Sequence, residues 1–141
     1  MTTVTSTTDP DATTAVARLI RFLETGTAPA GLFAPDCFAD VTLPLWRLQS
    51  DTEAGAIAIR TEGHPGPGEV HVHRVDPTER GFVIEFEERW QDGGGQRWYS
   101  REMLRADVVG STIVEFSVYC TGDWNEAQQR RHAAEVRLLR P

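Results

Sequence analysis

Between residues 69 and 121 the chain alternates apolar and polar side chains in four extended runs, Glu69–Val75, Gly81–Gln91, Gln96–Asp107 and Thr112–Thr121. The runs are separated by "DPTER", "DGGG" and "VVGS". Period-two alternation broken by Gly, Pro and Asp clusters is the pattern of an antiparallel meander. A meander with one apolar face must cover that face, so the remaining chain has to supply a lid.

The first half of the sequence has the material for one. Asp9-Pro10 reads as an N-cap followed by Pro at the first helical position. Val16, Leu19, Ile20 and Leu23 then recur at helical spacing and Gly26 stops the run, which predicts a helix over Pro10–Thr25. "PAGLFAPD" suggests a short helical turn. "CFADVTLPLWRLQ" follows as an extended segment that bends or ends at Pro44, because Pro cannot donate to a central ladder. Ser50-Asp51-Thr52-Glu53 fits a capping box, so another helix is expected from Asp51 to about Thr61, ended by "GHPGPG". Asp123 reads as the N-cap of a C-terminal helix. Helices followed by strands make an α+β protein with helices packed on one face of an antiparallel sheet.

At 141 residues the length suits one domain, expected over 9–141, with residues 1–8, rich in Thr, forming a flexible tail. The formal net charge of −7 opposes a nucleic-acid role, which needs a basic face. No apolar run reaches the roughly 20 residues that span a bilayer, and the start carries no secretory pattern. Cys37 and Cys120 form no CxxC or metal-like spacing, which fits a reduced, cytoplasmic protein.

Glu88 breaks the pattern. It falls on the same alternate positions as Phe82, Ile84, Phe86 and Trp90. If "DGGG" is a four-residue loop, Glu88 lies opposite Tyr99 and Phe86 opposite Arg101, and opposed residues share a face. That face continues through Met103, and a four-residue loop at "VVGS" carries it to Val114, Phe116, Val118 and Cys120. A buried carboxylate is costly unless it is paired or its pKa rises. One reading makes Glu88 a base in a pocket, with Tyr99 as hydrogen-bond donor and Arg101 as anion holder. The other makes it a structural ion pair at the wet rim.

Other polar residues are weighed in the same way. His71 and His73 share a strand face and have the spacing of a metal pair. No acid follows at a cupin-like distance, and inward-facing Val70 and Val72 would turn both His outward, so no metal is expected. In the other register His73 becomes a polar group of the pocket. Asp40 and Trp46 follow the first extended segment: Asp40 is either a solvated strand-end acid or a base, and Trp46 a core or interface ring.

"GLFAPDCFADVTLP", "STIVEFSVYCTGDW" and the order of helices before a meander resemble the nuclear transport factor 2-like fold. Within it they resemble the SnoaL-like polyketide cyclases and ketosteroid isomerases, over nearly the whole chain. The resemblance implies a cone: a strongly bent sheet closed by helices around a deep apolar pocket, often in a homodimer. It places Val41 and Met103 where isomerases of that family carry their two acids, so that mechanism does not carry over.

The implied function is acid–base chemistry of isomerase, cyclase, dehydratase or epoxide hydrolase type, without a cofactor, on an apolar polyketide- or terpenoid-like substrate. Glu88, Tyr99, Arg101 and Asp40 are the candidate catalytic groups. Phe86, Trp90, Met103, Phe116, Val118, Cys120, Trp46 and His73 are the candidate substrate contacts. The alternative is a non-catalytic dimer that holds a ligand in the same cone.

Overall fold

The computed structural model describes residues 9–141; the tail expected over residues 1–8 lies outside the described residues. Helix α1 spans Pro10–Thr25, capped by the Asp9 side chain and ended by Gly26 in the left-handed region at φ 79°. Its apolar stripe, Ala12, Ala15, Leu19, Phe22 and Leu23, is buried against the sheet. Strands β1 (Phe33–Thr42) and β2 (Arg47–Ser50) form a hairpin around Pro44. Helix α2 (Glu53–Gly63) follows, then β3 (Glu69–Pro77), β4 (Gly81–Gln91), β5 (Arg97–Val109), β6 (Thr112–Cys120) and helix α3 (Glu126–Glu135).

The six strands make one curved, open sheet in the order β2-β1-β6-β5-β4-β3. The architecture is α+β, as the sequence implies, with one difference. The sheet is mixed rather than purely antiparallel, because β1 runs parallel to β6. The long path from β1 through β2, α2 and the meander returns β6 to the side of β1, which is how chain-distant strands pair in parallel.

Several boundaries differ from the sequence reading. "PAGLFAPD" forms no helical turn; after a turn at Ala30-Gly31 the chain enters β1 at Phe33. Helix α2 takes Thr52 as its N-cap, its hydroxyl accepting from the Gly55 N–H, in place of the expected start at Asp51. Helix α3 takes Asn125 in place of Asp123, since Asn125 and Gln128 cap one another reciprocally.

The larger correction is one of register. Asp92 N–H donates to the Gln96 carbonyl, so the hairpin closes over three residues, Gly93–Gly95, with Gly95 left-handed at φ 84°. Gln91 therefore opposes Arg97, Glu88 opposes Ser100, and Phe86 opposes Glu102. A one-residue slip exchanges the faces of a strand. The inward residues of β5 are thus Ser100, Glu102, Leu104 and Ala106. Tyr99, Arg101 and Met103 point to the convex side. The next hairpin differs too: Val109 pairs with Thr112 over Gly110-Ser111, both with positive φ, and a bulge follows at Asp107/Val108. The shorter loop keeps the parity and the bulge reverses it, so Phe116, Val118 and Cys120 remain on the concave face, while the bulge makes Ile113, rather than Val114, the fully buried residue before them.

The core fills the concavity with Phe82, Ile84, Phe86, Leu104, Ala106 and Phe116 against Leu19, Phe22 and Leu23 of α1. Among the described residues no helix is long and apolar enough to cross a membrane.

Candidate functional site

Inside the concave face lies a cavity of about 470 Å³, within the range of small-molecule sites. Phe22, Leu23, Phe86, Leu104, Phe116 and Val118 make its apolar wall. At one end the wall turns polar, where Arg60 and His64 from α2, Glu102 from β5 and Asp123 from the segment after β6 meet.

Each of these groups is placed by a local feature. Arg60 follows the buried Ala56 by one helical turn and shares its inward face. Its Nη2 donates to Glu88 Oε1 at 2.5 Å and to the Leu23 carbonyl at 3.0 Å, while Nη1 reaches the His64 carbonyl at 3.0 Å. His64 is the C-cap of α2, so two basic groups gather where the helix dipole is negative. The His64 ring stacks on Trp90 with centroids 3.8 Å apart. Asp123 is brought to the rim by a two-bond bridge between Tyr99 and Trp124.

The result is a chain of alternating charge. Arg60 pairs with Glu88; Glu88 Oε2 faces His64 Nδ1 at 3.4 Å; His64 Nε2 lies 2.9 Å from Asp123 Oδ1. Glu88 is 2% exposed, Glu102 8% and His64 9%. Burial opposes ionisation of Glu88, but its contacts with Glu102 and His64 and the charge of Arg60 outweigh it, holding its pKa down to about 2. Glu102 behaves in the opposite way. Burial first, and then the neighbouring Glu88 carboxylate, push its pKa well above the usual carboxylate range. Two acids on adjacent strands that share one site cannot both ionise cheaply, and here the one without a cation at its oxygens keeps the proton. Burial also opposes the imidazolium of His64, yet its contacts with Asp123 and Glu88 prevail and raise its pKa.

Chemically, the arrangement offers a neutral carboxylic acid in an apolar cavity, backed by an anion, a guanidinium and an imidazole. Ser100 donates to Glu102 Oε2 at 3.2 Å and fixes that carboxyl. Glu88 Oε2, His64 Nδ1 and Arg60 Nε have no aligned hydrogen-bond partner, so the buried network is under-satisfied among the described residues.

Measured against solved structures, the chain matches an NTF2-like protein from Anabaena variabilis with TM-score 0.63 and 19% identity, over 87% of this chain and 96% of that one. An NTF-2 like protein of unknown function from Burkholderia xenovorans matches with TM-score 0.56 and 15% identity, over 92% and 95%. A candidate SnoaL-like polyketide cyclase from Jannaschia sp. matches with TM-score 0.56 and 16% identity, over 93% and 98%. The fold is NTF2-like. At these identities the likeness is one of fold alone. No family model matches the sequence, and no curated protein sequence matches it.

The NTF2-like cone sorts the residues singled out from sequence into two groups. Glu88, Phe86, Phe116, Val118 and Cys120 lie on the concave side, with Trp90 packed beneath His64. Tyr99, Arg101 and Met103 leave the site through the register slip. Tyr99 donates to Glu87, Arg101 pairs with Glu85 at 2.8 Å, and Met103 is exposed. Asp40 also lies outside, fixed by two bonds from Arg47, which lower its pKa first among several causes. Trp46 is exposed at the β1–β2 turn, and His73 pairs with Glu87 on the convex side.

Sequence reasoning missed Arg60, His64, Ser100, Glu102 and Asp123. The signal for Glu102 was present. On β5 the odd positions carry Arg97, Arg101 and Arg105, whereas the even ones carry Leu104 and Ala106. Three Arg do not share an inward face.

Proposed function

We propose that the cavity is the active site of an acid–base enzyme acting on a small, largely apolar molecule with a carbonyl or equivalent oxygen. The reaction is an isomerisation, cyclisation or elimination that passes through an enolate-like anion. The observation that carries this reading is Glu102: a carboxyl holding its proton in an apolar cavity can donate a strong hydrogen bond to an oxygen that gains negative charge.

Glu102 is then the donor to the developing oxyanion, its single O–H turning from Glu88 to the substrate oxygen. Glu88, pinned by Arg60, keeps that proton on Glu102 by forbidding a second charge beside it. Asp123 at the rim is the base, oriented by His64. An apolar wall strengthens each of these interactions by excluding water. A second reading, a protein that holds a ligand without converting it, is favoured by one feature: Arg60, Glu88, His64 and Asp123 already pair with one another.

Deuterium exchange at the α-carbon of a bicyclic apolar ketone, followed by proton NMR, tests the proposal. The protein should accelerate exchange over buffer, and Glu102→Leu and Asp123→Asn should each reduce the rate by about 100-fold, the usual scale for losing one such group. Binding of the ketone without any exchange would transfer the site to the ligand-holding reading.

A further inference from the structure

The two His residues of β3 are left unused by the cavity. They lie on the convex side, where His71 opposes Glu87 of β4. The register shifts between Val72 and Arg74, so His73 is the extra residue of a β-bulge. A bulge re-aims a side chain. Here it turns His73 onto the neighbouring strand, where its Nε2 lies 2.6 Å from Glu87 Oε2, while the His71 and His73 rings meet edge to face at 4.7 Å. One donor atom from each of His71, His73 and Glu87 lies within 4.8 Å of the others.

We infer that His71, His73 and Glu87 form a binding site for a divalent transition metal, with zinc as the best match. Two imidazoles and one carboxylate are a borderline N/O donor set suited to zinc, and three protein ligands leave the fourth tetrahedral position to water. Zinc bonds of about 2.0–2.1 Å place tetrahedral donors about 3.3 Å apart. The cluster approaches that spacing with small side-chain movements: the His73–Glu87 contact opens and the His71 donor closes in.

The surroundings support a ligating role for Glu87. The Tyr99 hydroxyl donates to its Oε1, leaving Oε2 directed at His73. A carboxylate whose second oxygen is held by an outer hydrogen bond is the usual support of a metal ligand. Arg89, with its Cζ 4.7 Å from the Tyr99 ring centre, and Arg101, beside the Tyr99 hydroxyl, are nearby cations whose charge opposes zinc binding without filling the site.

This site is separate from the cavity. Glu87 and Glu88 alternate on β4, one outward and one inward, so the metal lies across the sheet from the proposed active site. Its position suits a structural role. Strand β3 is an edge strand, and a metal joining His71 and His73 to Glu87 staples that edge to β4 across the bulge. Flat or loosely held edges invite pairing with other chains, and a staple opposes that.

The test is zinc titration of the full chain, freed of metal with a chelator, in competition with a chromogenic chelator. One zinc per chain should bind, and it should raise the thermal midpoint, as any ligand specific to the folded state does. The His71→Ala/His73→Ala variant should keep its metal-free midpoint and lose both binding and the midpoint rise. Tyr99→Phe should weaken binding by about 10–100-fold, the usual cost of removing an outer partner. His132→Ala, whose ring packs on Trp124 and supplies no donor to the cluster, should bind as the natural chain does. No saturable binding at millimolar zinc, or equal binding by the double variant, overturns the assignment.

Discussion

Replacing Glu102 by Gln should stabilise the protein progressively as pH rises. The reason lies in proton linkage. Above the ordinary carboxylate value of 4.5 the unfolded chain has released this proton, while the folded chain still holds it. Folding then takes up one proton, and stability falls by about 1.4 kcal/mol for each pH unit up to the folded pKa. Gln has the shape of a protonated Glu, donates a hydrogen bond and does not titrate, so the variant lacks this slope. At the acid end the two proteins should differ by no more than a changed hydrogen bond, roughly 1 kcal/mol. Two other groups titrate in the network without confusing the result. Glu88, with its pKa held down to about 2, contributes stability that is complete above 4.5 and lost as pH falls through 2. His64, with a raised pKa, contributes stability present below 6.5 and lost as pH rises through its folded value. Both groups remain in the variant, where the new amide can still donate to Glu88, so their contributions change little between pH 4.5 and 8. Urea unfolding of both proteins at half-unit steps from about pH 4.5 to 8 yields the difference curve directly. A flat difference across that range would refute the neutral state of Glu102, and with it the oxyanion donor.

Two further substitutions probe the same architecture. Arg60→Met should destabilise the fold by about 3–5 kcal/mol, since it strands a buried Glu88, and should lower the thermal midpoint by roughly 9–15 °C; calorimetry near pH 7 checks this, and a loss under about 1 kcal/mol would mean that water replaces the guanidinium. Gly81→Ala places a Cβ 2.1 Å from the Ala106 carbonyl oxygen and should cost about 1–3 kcal/mol by denaturant unfolding. That loss should not vary with pH, because no titrating group is involved.

The legible and illegible parts of this fold separate by range of interaction. Helix α1, β4 and the concave face of β6 were readable because each carries its own periodicity. Phe82, Ile84, Phe86, Glu88 and Trp90 state their common face without reference to another strand. What could not be read from one strand was which residues of β5 stand opposite them, because that depends on the closing pair of a glycine-rich loop. Taking "DGGG" as four residues rather than closing Asp92 on Gln96 put Tyr99, Arg101 and Met103 in the cavity. A second parity change, at the bulge beside Asp107/Val108, then returned β6 to its correct face, so the apolar bias of β6 could not expose the error. Two local cues favoured the true register: Asp92 is the residue type that opens a type I turn, and Gly95 can supply the left-handed residue closing a three-residue loop. The basic side of the site was harder. Arg60 and His64 reach Glu88 from α2, 28 and 24 residues earlier in the chain, and only the packing of that helix against β1 and β2 brings them there. An acid among buried rings thus has an explanation that its own strand could not contain. Glu88 is buried because a guanidinium and an imidazole arrive from elsewhere, and its charge, added to burial, keeps the neighbouring Glu102 neutral.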